Sequence, residues 1–178
     1  MINLYKEIQG SFGKNTELCG VTFSKEYLDH YHLMKSGEDL YKHVENGVLQ
    51  TRKQFELHYY NYLEHQLFSR LQEIKSYSTV NIFNTRRLVS VTPDCISLIQ
   101  LLVRDEIHLL VHFRSSHFTD ALPCDLEFLS SIPHKLIRHL ITLQGTYGYD
   151  EINEETIKKL SSKKVKLTLT FGSLHLNS

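Results

Sequence analysis

The chain has 178 residues, of which 41% are hydrophobic, so it is long enough to bury a sizeable core. Lysine plus arginine and aspartate plus glutamate number 20 each, and this neutral balance disfavours bulk nucleic-acid binding, which usually needs a basic excess. The three cysteines have no regular spacing, which argues against a disulfide scaffold and fits a reducing compartment. No segment has the length and apolarity of a signal peptide or a membrane span. We therefore expect a cytoplasmic protein with no membrane partner, folded as one domain over residues 1–178.

The first half of the chain predicts mainly helix. Residues 1–35 read as mixed short elements, with turns expected at Gly10, Gly13 and Gly20. A short helix is expected over residues 37–44. Apolar side chains at three- and four-residue spacing then predict a long helix over residues 51–75, packed on a sheet through one face. The members of this stripe are Phe55, Tyr59, Leu63, Leu67, Leu71 and Ile74.

The second half of the chain predicts mainly strand. Two strands are expected over residues 80–83 and 88–91, and apolar runs on either side of a polar break predict a hairpin over residues 96–103 and 107–113. Apolar and polar residues alternate again over residues 165–171, which is typical of a half-buried strand.

Helices are expected between the hairpin and the last strand. One begins at Asp125, is interrupted by Pro133, and ends at Gly145 and Gly148. A shorter helix is capped by Asn153 and runs to about Leu160. Together these elements predict an α/β (α+β) fold, a mixed sheet layered with helices.

Reactive side chains flank the predicted hairpin. Cys95 follows Pro93-Asp94 and precedes the first strand, and Gln100 lies five residues further on. The second strand ends in Arg114-Ser115, and Asp125 follows ten residues later in Leu122-Pro123-Cys124-Asp125. A thiol, a bidentate cation and a carboxyl group are what is needed to add a nucleophile to a phosphorylated, hydrogen-bonding ring.

This order and spacing resemble thymidylate synthase and its relatives, including the dCMP (CMP) hydroxymethylases, over about residues 80–178. The resemblance implies that Cys95 is the catalytic nucleophile and that Arg114 and Ser115 bind the nucleotide phosphate. It places Asp125 at the base-reading position, with Gln100 as a second base-binding residue. It also implies the family's fold, in which a sheet mediates a homodimer.

Two further segments extend the resemblance. Thr85-Arg86-Arg87-Leu88 resembles the twin-arginine strand that the family offers across its dimer, so Arg86 and Arg87 would bind the partner's phosphate. Gly172-Ser173-Leu174-His175 resembles the segment that binds the nucleotide sugar, with His175 and Asn177 as the expected contacts. Each arginine taken alone is better explained as a solvated surface charge, whereas Arg86, Arg87 and Arg114 with Ser115 as a set favour phosphate binding.

Asp125 points to a cytidine nucleotide as the substrate. The family's asparagine matches uracil, whereas a protonated aspartic acid donates to N3 of cytosine and accepts from its 4-amino group. Burial in an apolar pocket raises a carboxyl pKa enough to keep it neutral. The alternative interpretation is that Asp125 only caps the helix that follows. Cys95 likewise has an alternative role as a small buried hydrophobe.

The sequence departs from the family on the folate side of the site. His117 replaces an aspartate that contacts the pterin, Ala121 replaces a glycine, and the closing C-terminal segment is missing. No segment in residues 1–60 matches the one that supplies the general acid/base glutamate, which leaves Glu38 and Glu56 as candidates by default. The cofactor implied by the resemblance is 5,10-methylenetetrahydrofolate. No metal site is expected, because the eleven histidines fit no ligand motif.

Three functions stay open at this point. The first is a homodimeric enzyme that hydroxymethylates C5 of CMP or dCMP through a cysteine adduct at C6. The second is a catalytically reduced homologue that binds nucleotides or regulates a partner. The third is an unrelated α+β interaction module.

Overall fold

The computed structural model describes residues 1–44, 47–76, 88–147 and 154–176. The helices are α1 (Ile2–Phe12), α2 (His30–Val44), α3 (Gly47–Ser76), α4 (Leu122–Tyr147) and α5 (Glu154–Ser161). The strands are β1 (Glu17–Tyr27), β2 (Val89–Val91), β3 (Ile96–Val103), β4 (Ile107–His117) and β5 (Val165–His175).

The five strands form one mixed sheet in the order β1-β5-β4-β3-β2. Neighbouring strands are antiparallel except for β4 and β5, which are parallel. A parallel pair needs a long crossover, and α4 and α5 supply it between these two strands. The predicted α+β class, with a mixed sheet layered with helices, is confirmed.

The core lies on one face of the sheet. Alternate side chains of the central strands, among them Leu109 and Val111, are almost completely buried together with Leu63 of α3 and Leu129 of α4. The residues between them on the strands remain half-exposed or exposed. This second face of the sheet, called here the open face, is therefore not covered within the described chain.

Buried and exposed residues alternate along each central strand, and at one place on each strand this alternation slips by one residue. On β5, Phe171 and Leu174 are both buried although they are three residues apart, and Phe113 and Ser116 repeat this on β4. Strand β3 has a register shift at the same level, between its pairings at Ile96 and Leu98. Aligned irregularities of this kind bend the strands and change the direction in which the following side chains point.

Two glycines allow the one-position change in the alternation of buried residues to occur at the same level on neighbouring strands. Gly20 on β1 has a φ of 64°, a left-handed conformation that favours glycine. A Cβ at Gly172 on β5 would lie 2.7 Å from the carbonyl oxygen of Arg114 on β4, so the two strands approach closely there. The shift therefore runs as one line through β1, β5, β4 and β3.

Several predicted elements differ from the structure in the first half of the chain. Residues 1–35 were expected to be mixed short elements, but they contain an 11-residue helix and an 11-residue strand. Gly10 lies inside α1, where burial of Leu4, Ile8 and Phe12 on one helix face outweighs its low helix propensity. Gly20 lies inside β1 and not in a turn.

Helix boundaries also differ. α2 begins at His30 and not near residue 37, because Oδ1 of Asp29 accepts a hydrogen bond from the backbone N–H of His32 and caps the first turn. α4 runs without interruption through Pro133 and includes Gly145. The complete burial of Leu129, Ile132 and Leu136 on both sides of the proline compensates for its missing N–H donor.

Candidate functional site

The ends of three neighbouring strands gather polar side chains beyond the line of shifted alternation. Glu17 on β1 pairs with His175 on β5, which in turn pairs with His117 on β4. In the next row Cys19 pairs with Ser173, and Ser173 pairs with Ser115. The predicted phosphate-binding Ser115 and the predicted sugar-binding His175 therefore lie at the same end of the sheet.

Cys95 lies at this end as well, immediately before β3. Its carbonyl oxygen accepts a 2.8 Å hydrogen bond from the backbone N–H of Arg114, so the two residues are neighbours on adjacent strands. The Cys95 side chain is half-buried, and that of Arg114 is exposed. A partly accessible thiol beside a guanidinium-bearing residue suits a nucleophile, because nearby positive charge favours the thiolate.

Tyr59 of α3 fastens the start of β3. Its hydroxyl accepts a 2.6 Å hydrogen bond from the N–H of Ile96 and donates one of 3.1 Å to the carbonyl oxygen of the same residue. Burial raises the pKa of Tyr59, and the nearby charges of Asp125 and Cys95 act in the same direction. One hydroxyl therefore lies within electrostatic reach of both the predicted nucleophile and the predicted base reader.

Asp125 is held in the interior at the start of α4. It is 4% exposed, and its Oδ1 accepts a 2.7 Å hydrogen bond from the hydroxyl of Tyr60. Burial raises the pKa of Tyr60, and the charge of Asp125 raises it further. The N–H of Asp125 donates to the carbonyl oxygen of Ala121, which places Asp125 inside the first turn and not at the N-cap position. A buried carboxyl with a fixed donor suits recognition of a hydrogen-bonding ring.

The two candidate glutamates lie in different places. Glu38 of α2 forms an ion pair of 3.5 Å with Lys35 on the same helix. Glu56 of α3 lies one helical turn before Tyr60, and its charge contributes to the raised pKa of that tyrosine. Glu56 is therefore the carboxylate that the fold brings toward Asp125.

Gln100 does not join this group. It pairs with Leu110 and Val89 in the middle of the open face. Five residues of strand separate it from Cys95, which corresponds to roughly 16 Å. The structure thus brings together Cys95, Arg114, Ser115, Asp125 and His175 but not Gln100. Arg86, Arg87 and Asn177, together with the expected strand over residues 80–83, lie outside the described residues.

A chain of hydrogen bonds that the sequence did not reveal connects β1 to β5. The Ser173 hydroxyl donates to Oε1 of Glu17 at 2.5 Å and lies 2.8 Å from Nε2 of His175. Cys19 also donates to Oε1 of Glu17. The Ser173 and Cys19 hydrogen bonds lower the pKa of the Glu17 carboxyl. Glu17 and Tyr60 escaped sequence reasoning because the partners that tie them to the site, Ser173 and Asp125, lie more than 60 residues away in the chain.

Two histidines border the site. The rings of His117 and His175 are 5.6 Å apart, and Nδ1 of His117 is buried with no hydrogen-bond partner in the described chain. Within the same residues, no group of three or more histidine, cysteine or acidic side chains is arranged to hold a metal ion.

Comparison with solved structures finds many chains that are similar to this one. No protein family and no curated protein matches the sequence. The crystal structure of thymidylate synthase from T4 phage superposes with a TM-score of 0.48 at 14% sequence identity, covering 99% of this chain and 77% of that chain. None of the described helices combines the length and apolarity needed to cross a membrane.

Proposed function

We propose that this protein binds a pyrimidine nucleoside monophosphate and transfers a one-carbon unit to C5 of its base, with hydroxymethylation of CMP or dCMP as the reaction. The observation that carries the proposal is the convergence of Cys95, Arg114, Ser115 and Asp125 at one end of the sheet. The proposed nucleophile and phosphate-binding pair belong to neighbouring strands, and the proposed base-reading carboxyl lies within electrostatic reach of Tyr59, which bonds to the start of β3.

Cys95 supplies covalent catalysis. Its thiolate adds to C6 of the ring, the π electrons of the C5–C6 double bond move to C5, and this carbon attacks the one-carbon unit. Once a bound donor had given up its one-carbon unit, C5 would lose its proton, water would add to the exocyclic methylene, and departure of the thiolate from C6 would restore the aromatic ring. Glu56 is the candidate acceptor of the C5 proton.

The nucleotide is held at both ends. Arg114 offers a guanidinium fork and Ser115 a hydroxyl to the phosphate, which match its oxygens in number and charge. Asp125, protonated, donates to N3 of cytosine and accepts from the 4-amino group. A bound 5,10-methylenetetrahydrofolate would supply carbon at the oxidation level of formaldehyde, and His117, whose ring is 5.6 Å from that of His175, would lie on its side of the site.

A homodimer completes the proposal. The open face carries apolar side chains, including half-exposed Leu98 and Leu110 and the 55% exposed Val91. A second copy would cover them, and Arg86 and Arg87, which precede Leu88 and β2 in the sequence, would reach its phosphate site. Sedimentation equilibrium of the full chain measures this association, and a monomer at micromolar concentration would exclude the contribution in trans.

Nucleotide binding tests the assignment of the base. By titration calorimetry the protein is expected to bind CMP or dCMP about tenfold or more tightly than UMP or dUMP, and Asp125→Asn should reverse the order, since one mismatched hydrogen-bond pair costs this much. Asp105→Asn, in the exposed hairpin turn at the other end of the sheet, is the matched control and should change nothing. Equal affinities before and after Asp125→Asn would exclude the base-reading role.

A second candidate function is a catalytically reduced nucleotide-binding or regulatory protein. His117 favours this second function. It stands where the resemblance expects an aspartate, so the departure falls on the folate side of the site, whereas Cys95 and Arg114 remain adjacent. Such a protein would bind the same nucleotides without exchanging hydrogen at C5.

A further inference from the structure

We infer that Glu17 and His175 form a subsite for the vicinal hydroxyls of ribose, so that the ligand of this site is a ribonucleoside monophosphate and not its deoxy counterpart. The inference rests on the proposed function and extends it to the sugar. The observation that carries it is the hydrogen-bond chain from His175 through Ser173 to Glu17.

The direction of each hydrogen bond in this chain is fixed by chemistry. An ionised carboxylate only accepts, so the single hydrogen of the Ser173 hydroxyl points to Oε1 of Glu17. Ser173 must then accept from Nε2–H of His175. In the neutral imidazole this tautomer leaves Nδ1 of His175 as an acceptor. The sheet end therefore presents two acceptors, the Glu17 carboxylate and Nδ1 of His175, on directly paired strand positions.

Two adjacent acceptors call for a ligand with two adjacent donors. The 2′- and 3′-hydroxyl groups of ribose are such a pair, and carboxylates are known to bind the 2′-hydroxyl of ribose in nucleotide-binding folds. Deoxyribose would satisfy His175 through its 3′-hydroxyl but would add no donor to the Glu17 carboxylate, which would keep only its hydrogen bonds from Ser173 and Cys19. The side chains of Glu17 and His175 are 44% and 38% exposed, so a ligand can reach both.

Charge places the sugar and the phosphate at opposite sides of this sheet end. Glu17 on β1 lies two strands from Arg114 on β4 and three residues along the strand direction, a separation of about 14 Å. A carboxylate repels a phosphate, whereas the guanidinium of Arg114 attracts it. The neutral hydroxyl-bearing side of the ligand therefore faces Glu17 while the phosphate faces Arg114 and Ser115.

Calorimetric titration of the full-length protein with four ligands tests the inference. CMP is expected to bind about tenfold or more tightly than dCMP, the usual contribution of one hydrogen bond to a charged group. The arabinose epimer of CMP, whose 2′-hydroxyl points to the other face of the sugar, should bind like dCMP, and 3′-deoxy-CMP should be weakened through loss of the His175 contact. Equal affinity for CMP and dCMP would overturn the subsite while leaving the proposed function intact.

Substitution of the carboxylate provides the second measurement. Glu17→Gln should weaken CMP binding and reduce the CMP-to-dCMP ratio to less than about threefold, with little effect on dCMP. Glu26→Gln is the matched control, because Glu26 is exposed on the same strand opposite Lys166, about 30 Å from Glu17. An unchanged ratio in Glu17→Gln would overturn the inference. If neither wild-type protein nor variants bind any pyrimidine monophosphate, the proposed function fails and the subsite with it.

Discussion

The hydroxyl of Tyr60 donates a 2.7 Å hydrogen bond to Oδ1 of Asp125 and so joins the middle of α3 to the first turn of α4. Both residues are at most 5% exposed, and the ring of Tyr60 stacks on Phe128 with centroids 4.4 Å apart. The bond therefore serves the packing of two helices and the placement of a candidate base reader at the same time.

Removal of this hydroxyl should destabilise the fold. Tyr60→Phe keeps the stacked ring but takes one donor from a buried carboxyl, which costs about 1–3 kcal/mol in the free energy of unfolding. Urea denaturation measures the loss. Tyr62→Phe is the control, because Tyr62 lies on the same helix and is 55% exposed, and it should change stability by less than about 0.5 kcal/mol. Equal effects of the two substitutions would contradict the role assigned to the Tyr60–Asp125 bond.

Exchange of hydrogen at C5 distinguishes the enzyme from the nucleotide-binding alternative. With a one-carbon donor present, the protein should release tritium from C5-labelled cytidine nucleotide, and Cys95→Ser should reduce the release to background, because a hydroxyl is a far weaker nucleophile at neutral pH. Calorimetry should show that Cys95→Ser still binds the nucleotide. Release that persists in this variant would rule out the adduct, whereas binding without release in the wild-type protein would support the alternative function.

The contact between α2 and α4 depends on the absence of a side chain at Gly37. A Cβ there would lie 1.9 Å from Oγ and 2.6 Å from Cβ of Ser130. Gly37→Ala should therefore cost about 1–3 kcal/mol through overpacking. Gly10→Ala in α1 is the matched control: no heavy atom lies within 4 Å of its added Cβ, and the better helix propensity of alanine should stabilise the protein by about 0.5–1 kcal/mol. Thermal unfolding of both variants would show opposite shifts, and shifts of the same sign would contradict this packing.

A histidine pair on the same two helices predicts a pH dependence. Nδ1 of His30 and Nδ1 of His134 are 3.0 Å apart, a hydrogen bond that needs one nitrogen protonated and the other not. Burial lowers the pKa of both histidines. The charge of His134 lowers the pKa of His30 further, and the charge of Arg138 does the same for His134. Asp29 and Glu38 oppose these shifts only in part. The unfolded chain, with histidine pKa near 6.5, therefore binds more protons below that pH.

Stability should accordingly be full above about pH 6.5 and should fall as the pH drops below it toward the lowered pKa values of the folded state. The measurement compares the free energy of unfolding at pH 7.5 and pH 5.5. His134→Gln should show a smaller loss than the wild-type protein, and His58→Gln, on the exposed surface of α3, the same loss. Identical losses in all three proteins would exclude the pair as a source of pH dependence.

Local patterns were sufficient for some elements. The hairpin strands β3 and β4 were predicted from alternation and from the polar break between them, and α3 from the spacing of residues such as Leu63 and Leu67. These signals are set by burial of one face, which each segment records in its own sequence. The neighbouring placement of Cys95 and Arg114 follows from the hairpin, so this part of the candidate site was predictable too.

Other features depended on contacts that a local pattern does not record. Pro133 was expected to interrupt a helix and Gly10 to mark a turn, but tertiary burial outweighs their local preference. The position of β1 beside β5 was not predicted, because partners distant in sequence decide the order of strands. Glu17 therefore escaped notice, since its relation to His175 exists only once these two strands pair.

The line of shifted alternation divides each strand into a buried part and a polar end. Which side chains point toward the core is set separately in the two parts. A β5 strand that kept an unbroken pleat through Gly172 would turn Ser173 and His175 toward the interior and Leu174 to solvent. The hydrophobic half of the strand would keep its phase. Sequence changes in the polar strand ends can thus rearrange the polar side chains without disturbing the buried part of the strands. The sheet can therefore change the chemistry of the site while it keeps its packed core.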